Sequence, residues 1–421
     1  MKDNSIRQVI ILVGGRGTRL GEIARDVPKP LVPIADERPF LDYLLKMVAR
    51  HGYQDIVLLA GHLGERVEAL YEGKRIGAAT VRVMRETEPL GTGGALTNVC
   101  GLLDKRFIMM NGDALFDFNL RALEVAAPEN GAMATLALRA VEDVSRYGRV
   151  IAENGRIVRF MEKDREHRGS GTINGGVYVL KRKILSLIES LPCSIEQDIF
   201  PVLAQRGDVS GVTFEGYFLD IGIPEALERG HRELPLTLRR PAAFLDRDGV
   251  LNLDEGYTFR PESLRFVPGA IEAVRRLNDA GYYVIVVSNQ AGVARGYFSL
   301  GDAERFNREM QAQLIRHGAH IDQFYICPYH PDGMVSEYAM DHPDRKPNPG
   351  MLLRALDDWP IERAGSFLIG DKQSDVEAAA RAGIKGYLFE AGDLDDFMRS
   401  TLDVTGRNSI EADGPRSIGS A

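Results

Sequence analysis

At 421 residues the chain is long for a single domain, and two or three are expected. Its 44% hydrophobic and 27% charged content is that of folded globular protein, which excludes a disordered or fibrous chain. A net charge of -8 with no block of Lys and Arg excludes nonspecific nucleic-acid binding. No apolar run approaches the roughly 20 residues that span a bilayer, so no membrane partner is expected. The start, Met1-Lys2-Asp3-Asn4-Ser5, leads into a strand without an apolar signal region. Three cysteines, Cys100, Cys193 and Cys327, give no disulfide framework. A cytoplasmic location is expected, and the sequence leaves a homo-oligomeric state open.

In chain order, Gln8 to Val13 reads as a buried strand, followed at once by Gly14-Gly15-Arg16-Gly17-Thr18-Arg19-Leu20. A strand running into a glycine-rich loop brings backbone N–H groups against phosphates. The glycine and lysine spacing is neither that of the Walker loop nor that of the dinucleotide fingerprint. Arg19 adds a fork suited to phosphate oxygens. Pro28-Lys29-Pro30 follows, and the two prolines are expected to hold the backbone extended so that the ammonium can be aimed. Strands and helices then alternate, as in a parallel sheet. Asp55 to Ala60 and Thr80 to Met84 read as strands and Gly64 to Tyr71 as a helix. Leu90-Gly91-Thr92-Gly93-Gly94 is a second glycine-rich turn, and the strand Phe107 to Met110 ends in Asn111-Gly112-Asp113.

In this order the residues resemble the sugar-1-phosphate nucleotidyltransferases, whose G-G-x-G-T-R-L and P-K-P match Gly14 to Leu20 and Pro28 to Pro30 over about residues 6–232. The resemblance implies a Rossmann-like domain with a mixed sheet. Gly14, Gly15, Gly17 and Arg19 would hold a nucleoside triphosphate, Leu90 and Gly91 would border its base, and Lys29 would stabilise the α-phosphate. Asp113 and Asp220 would ligate Mg²⁺, while Glu162, Lys163 and Asn174 would contact the sugar phosphate. The reaction is in-line attack of a sugar phosphate oxygen with loss of pyrophosphate, which needs positioning and charge neutralisation rather than a protein nucleophile.

Glu233 to Pro241 is short, basic and bracketed by prolines, and reads as a semi-rigid linker. The expected organisation is a domain over 1–233, a linker over 234–241, a second domain over 242–396 and a disordered tail over 397–421. After the linker, Ala243-Phe244-Leu245-Asp246-Arg247-Asp248-Gly249 places two carboxylates at i and i+2, on one side of a strand of period two. At the carboxyl edge of a parallel sheet they would face a crevice, and their repulsion calls for a hard cation such as Mg²⁺. Further alternation follows; two apolar runs end in polar residues, Val287-Ser288-Asn289-Gln290 and Ile369-Gly370-Asp371-Lys372, and Arg345-Lys346-Pro347 between them offers a fixed cation.

Together with Asp246 and Asp248, these residues resemble the four motifs of haloacid-dehalogenase-type phosphatases over roughly 241–390, a second doubly wound α/β domain. By resemblance, Asp246 attacks phosphorus, Asp248 serves as acid and base, and Ser288 and Lys346 bind phosphoryl oxygens. Asp246, Asp248 and Asp371 would hold Mg²⁺, with Asp375 behind them. The segments running from Ser288-Asn289-Gln290 to Arg295-Gly296, from Cys327 to Pro331 and from Arg345 to Gly350 look like the subgroup of histidinol-phosphate and heptose-1,7-bisphosphate phosphatases. Asn289, Arg295 and Arg345 would then face substrate. That subgroup often carries a zinc clamp whose positions here are Cys327, Tyr329, His342 and Asp344, with one ligand retained. A metal-free loop is expected, and a substitute set of Cys327, His330, His342 and Asp344 stays open.

The two resemblances together imply removal of the 7-phosphate of D-glycero-D-manno-heptose 1,7-bisphosphate. Nucleotidyl transfer from an NTP, usually GTP, to the heptose 1-phosphate would follow, toward surface polysaccharide such as lipopolysaccharide. The alternatives are a mannose- or glucose-1-phosphate nucleotidyltransferase joined to a histidinol-phosphate-type phosphatase, and a protein with one catalytically dead regulatory half.

Overall fold

The computed structural model describes residues 5–15, 20–21, 25–145, 147–161 and 169–404. The chain divides into two compact units between Leu236 and Thr237. No helix among the described residues is long and apolar enough to cross a membrane.

The first unit is built on a ten-stranded sheet. Its centre is parallel: Arg106–Asn111, Gln8–Leu12, Asp55–Ala60 and Ala79–Arg85 lie side by side in that order. Continuous apolar runs such as Val9-Ile10-Ile11 suit strands that are covered on both faces. Beyond Arg106–Asn111 the sheet turns mixed, because Gly171–Lys181 runs antiparallel between it and Ala134–Val141. The register of Gly171–Lys181 shifts between Asn174 and Tyr178, where Gly176 has φ +74°. A separate antiparallel pair, Ala114–Asp117 with Tyr217–Asp220, brings distant parts of the chain to one place.

The second unit has five parallel strands in the order Gln323–Cys327, Tyr283–Asn289, Ala242–Leu245, Phe367–Gly370, Lys385–Leu388. Numbered along the chain this order is 3-2-1-4-5, so the crossovers reverse direction at the strand that ends in Asp246. The carboxyl end of such a strand is where open α/β sheets bind ligands. Alternation along it serves two cores: Ala243 and Leu245 pack with Val284, Val286 and Ile369, while Ala242 and Phe244 pack with Ile285, Val287 and Leu368.

Three expectations are corrected. The helix Pro224–Leu238 continues through Pro235 with Leu234 fully buried, so residues 234–238 are helix rather than linker. The helix Leu394–Val404 buries Met398 and Leu402 in the core that holds Ala243 and Leu245, so 397–404 belong to the domain rather than to a tail; 405–421 lie outside the described residues. Lys29 is not on extended chain but opens a single 3-10 turn, Lys29–Leu31, closed by a 3.1 Å bond from Val32 N–H to the Lys29 carbonyl. Pro28 keeps the extended conformation, and the turn starts after it.

Candidate active sites

In the first unit the parallel strands deliver their loops to one edge. Gly14 and Gly61 meet backbone to backbone there, since a Cβ on Gly61 would lie 2.9 Å from Gly14 Cα. Gly112 is tighter still, because its N–H bonds Leu12 O at 2.9 Å and a Cβ would come within 2.3 Å of that oxygen. This approach seats the next residue, Asp113, beside the glycine loop. The Ile221 N–H bonds the Asp113 carbonyl at 3.0 Å, which places Asp220 alongside.

Lys29 joins the two carboxylates: its Nζ lies 2.6 Å from Asp113 Oδ2 and 3.8 Å from Asp220 Oδ1. The ammonium is buried, whereas both carboxylates are partly exposed. Two carboxylates against one cation leave a negative charge over, and hard oxygen donors of this kind fit Mg²⁺. Asn174 is oriented by its neighbours: it donates to the Tyr178 hydroxyl at 2.9 Å and accepts from Gly176 N–H at 2.9 Å. Gly91 has φ +78° and sits against Cys193, whose carbonyl accepts from Gly93 and Gly94 N–H at 2.9 and 3.0 Å. Gly17, Arg19, Glu162 and Lys163 lie outside the described residues.

Glu86 was not singled out by sequence. Its carboxylate sits between Gly14 and Leu90, accepting from Leu90 N–H at 3.5 Å, and burial raises its pKa against that bond. The signal available was an acidic residue at the end of an apolar strand, four positions before Leu90.

In the second unit Asp246, Asp371 and Asp375 present oxygens within 4.8 Å of one another. Lys346 is buried among them, with Nζ 2.9 Å from Asp246, 2.6 Å from Asp375 and 2.8 Å from the Val287 carbonyl. Burial pushes the Asp246 carboxyl up to about 7, with Asp375 and Asp248 adding to it and Lys346 opposing. Burial opposes the Lys346 ammonium, but Asp246 and Asp375 outweigh it and hold its pKa above the usual lysine value. Asp371 Oδ1 is buried without a hydrogen-bond partner among the described residues, and Gly249, at φ +88°, leaves room for that side chain. An orphaned carboxylate oxygen among acidic neighbours fits a divalent cation.

Asp248, expected in the same cluster, turns elsewhere. It is gripped by Arg247 at 2.9 to 3.2 Å, Asn252 at 3.0 Å and Gln290 at 2.7 Å. Asp375 takes its place in the group of three. Arg247, which leaves the strand on the opposite side, is fully buried against Asn307, the Thr258 carbonyl and the Phe306 ring. Gln290 also donates to Ser288 Oγ at 2.8 Å and so ties the hydroxyl to Asp248. Asn289 and the Lys346 backbone exchange two bonds of 3.1 Å, which fixes the lysine's loop to the strand rather than leaving the Asn289 amide free for substrate. Arg247 and Gln290 carried no sequence signal beyond adjacency to the motifs. Their role depends on how the loop folds back.

The positions of the zinc clamp do not fit zinc. The Tyr329 and His342 rings stack at 4.0 Å and 9°, and His342 Nδ1 accepts from Asp344 N–H at 3.1 Å. Asp344 is ion-paired with Arg354 at 3.0 Å, and burial raises the Cys327 thiol, which disfavours the thiolate that zinc needs. His330 Nδ1 accepts from Asp332 N–H at 3.0 Å, away from the substitute set.

A nucleotidyl transferase family model matches residues 8–235, and a model described as HAD-hydrolase-like matches residues 344–402. The chain belongs to the nucleotidyl transferase family through its first half and to the haloacid-dehalogenase-like hydrolases through its second. Over 164 residues it is 49% identical to D-glycero-beta-D-manno-heptose-1,7-bisphosphate 7-phosphatase of Rhodopseudomonas palustris, covering 39% of this chain and 91% of that one. Over 147 residues it is 43% identical to D-glycero-alpha-D-manno-heptose-1,7-bisphosphate 7-phosphatase of Burkholderia mallei, covering 35% and 78%. Over 231 residues it is 36% identical to D-glycero-alpha-D-manno-heptose 1-phosphate guanylyltransferase of Aneurinibacillus thermoaerophilus, covering 54% and 98%.

Proposed function

We propose that the chain performs two consecutive steps of GDP-heptose synthesis, with the phosphatase half supplying the heptose 1-phosphate that the nucleotidyltransferase half consumes. The observation that carries this reading is the presence in one chain of two separate charged sites, Lys29–Asp113–Asp220 and Asp246–Lys346–Asp371–Asp375. Relatives of the two halves are named as 7-phosphatases of the β and of the α form of D-glycero-D-manno-heptose 1,7-bisphosphate and as a guanylyltransferase of the α form of the 1-phosphate.

In the phosphatase half Asp246, ionised above about pH 7 or by a bound cation, attacks the 7-phosphorus to give an aspartyl phosphate. The bond from phosphorus to the heptose oxygen breaks, and Asp248 protonates that oxygen. Asp248 then takes a proton from water, which attacks the aspartyl phosphate and releases inorganic phosphate. Ser288 and Lys346 hold the phosphoryl oxygens. Arg247, Asn252 and Gln290 hold Asp248 in the meantime. Mg²⁺ held by Asp246, Asp371 and Asp375 would neutralise phosphoryl charge.

In the transferase half a heptose 1-phosphate oxygen attacks the α-phosphorus of GTP and pyrophosphate leaves. Lys29 is buried and pre-aimed by Asp113 and Asp220, so it meets the developing charge without reorganisation. Mg²⁺ on the two aspartates would share that charge. Glu86 offers two carboxylate oxygens beside the base-side turn, and these suit the N1–H and exocyclic amine of guanine.

Removing the 7-phosphate leaves carbon 1 untouched, so both steps must use one anomer. We assign the α form, which the guanylyltransferase relative and one phosphatase relative are named for. The test is a panel of α and β heptose 1,7-bisphosphates and of mannose and glucose 1-phosphates, each with all four NTPs. GDP-α-heptose as the main product supports the reading, and turnover confined to a hexose 1-phosphate overturns it.

A further inference from the structure

In the first unit one carboxylate stands between two distant parts of the chain, the glycine-rich turn at Leu90–Gly94 and the register shift at Asn174–Tyr178. Glu196 Oε2 accepts from Thr92 Oγ1 at 2.6 Å and from Ser194 Oγ at 3.2 Å. Its Oε1 accepts from the Tyr178 hydroxyl at 3.4 Å. Among the described residues its partners are these three hydroxyls. Glu196 rides on Ile195–Ile199, a single π-helical turn, and this wide form is rare and gathers at functional sites.

The segment that carries Glu196 is locked to the glycine-rich turn. The Cys193 N–H bonds the Leu90 carbonyl at 2.8 Å, and the Cys193 carbonyl accepts from Gly93 and Gly94 N–H at 2.9 and 3.0 Å. The Ile195 N–H bonds Thr92 Oγ1 at 2.9 Å, and a Cβ on Gly91 would strike the Cys193 carbonyl. A displacement of Leu90 and Gly91 therefore carries Glu196 with it.

On the other side stands Tyr178, fully buried, with its ring edge-on to Phe200 at 5.0 Å. Its hydroxyl accepts from Asn174 Nδ2 at 2.9 Å and also bonds the Asn111 amide. Burial, and after it the Glu196 charge, hold this phenol well above the ordinary tyrosine value, so the hydroxyl keeps its proton and donates it toward Glu196. At 3.4 Å that contact is at the long limit of a hydrogen bond, whereas the bonds on either side of it measure 2.6 and 2.9 Å. The slack in the chain of bonds lies between Tyr178 and Glu196.

We infer that Tyr178 and Glu196 couple the two substrate sites of the transferase half: a nucleotide seated on the Leu90–Gly91 turn draws Glu196 onto the Tyr178 hydroxyl, and Tyr178 steadies the Asn174 amide for the sugar phosphate. This rests on the reading of Leu90 and Gly91 as base-side residues and of Asn174 as a sugar-side residue. Tyr178, having no exposed surface, is a positioning residue and touches neither substrate. The coupling is reciprocal, since whatever favour the nucleotide does the sugar phosphate is returned by the same factor.

The test uses the full chain with Mg²⁺ and calorimetric titration of heptose 1-phosphate and of GTP with a methylene bridge between its α and β phosphates, which cannot lose pyrophosphate. In the wild type each ligand should bind at least ~10-fold tighter when the other is saturating, by the same factor in both directions. Tyr178→Phe keeps the ring on Phe200 and should reduce that factor to ~2 or less. Each ligand alone should still bind within ~3-fold of wild type, because the Gly176 N–H continues to hold Asn174 at 2.9 Å. Glu196→Gln should lose the coupling likewise, because an amide offers one acceptor where Thr92 and Tyr178 need two. Glu196 is partly exposed, so Glu196→Gln decides the matter if Tyr178→Phe disturbs the core. A factor of ~10 or more retained in both variants overturns the link, even where one ligand alone binds more weakly. A wild type that binds both ligands with no mutual effect overturns the coupling and leaves the transferase reading intact. Failure of the wild type to bind either ligand, in either order, overturns the transferase reading itself.

Discussion

Asp246→Asn should stabilise the second unit when no divalent cation is bound, although it removes a charged contact. Moving a carboxyl from its ordinary 3.8 to about 7 means that the folded protein binds a proton more tightly than the unfolded chain. Stability from this source is fully present below the unfolded value and is lost as pH rises through about 7. At 1.36 kcal/mol per pH unit, the raised value of Asp246 costs the fold ~4 kcal/mol at pH 8, where it is ionised, and ~1.5 kcal/mol at pH 5, where the folded protein must take up a proton that the unfolded chain has lost. Asparagine carries no such cost. The lost hydrogen bond to Lys346 takes back ~1–2 kcal/mol, while Asp375 at 2.6 Å and the Val287 carbonyl keep the ammonium partnered. The net expectation is a gain of ~2 kcal/mol at pH 8 that vanishes near pH 5. The single tryptophan, Trp359, packs on Tyr283 in the second unit, so its fluorescence follows the unfolding of that unit alone. Urea titrations in EDTA at the two pH values make the comparison. Adding Mg²⁺ should reverse the order, because the cation takes the place of the proton in the wild type. If the variant is less stable than wild type at pH 8 in EDTA, the reasoning is refuted, and the Lys346 pair rather than burial governs Asp246.

Asp113→Ala or Asp220→Ala should lower nucleotidyl transfer at least ~100-fold while phosphatase turnover continues, measured as pyrophosphate and phosphate release from the same preparation. Full transferase activity in both variants at low Mg²⁺ would make these aspartates mere turn residues. Glu86→Gln should reduce the preference for GTP over ATP by ~10-fold or more in competition assays, because an amide offers one acceptor where guanine presents two donors; an unchanged ratio would take Glu86 out of base recognition. Elemental analysis of protein purified without added metal should find far less than one zinc per chain, and His342→Ala should cost only the ~1 kcal/mol of its stack on Tyr329. About one zinc per chain, lost with stability in that variant, would contradict the metal-free loop.

Much of this was legible because the chemistry sits where period-two strands end. Asp246, Ser288 and Asp371 in the second unit, and Asp113 in the first, each follow an apolar run, and within each unit the parallel register carries such ends to one edge of its own sheet. The mixed half of the first sheet was less visible strand by strand. Gly171–Lys181 changes register at Gly175–Gly176, and its antiparallel partners are joined by long connections that periodicity does not pair. The helix Pro224–Leu238 was hidden by Pro235, a residue that ends helices unless packing such as that of Leu234 outweighs the lost bond. The last turns of Leu394–Val404 were missed because two buried residues, Met398 and Leu402, decide them in tertiary contact rather than by local pattern. Asp248 shows a limit of spacing. Its placement at i+2 puts it on the same side as Asp246, but Arg247, Asn252 and Gln290 decide where the carboxylate points.

The most direct test of two consecutive steps in one chain is a single-pot reaction followed by mass spectrometry. Wild-type protein with heptose 1,7-bisphosphate, GTP and Mg²⁺ should yield GDP-heptose together with phosphate and pyrophosphate. Asp246→Asn should yield none from the bisphosphate, yet form GDP-heptose at close to the wild-type rate from heptose 1-phosphate. Loss of both activities in a folded Asp246→Asn protein, or GDP-heptose 7-phosphate accumulating as the wild-type product, would contradict the account.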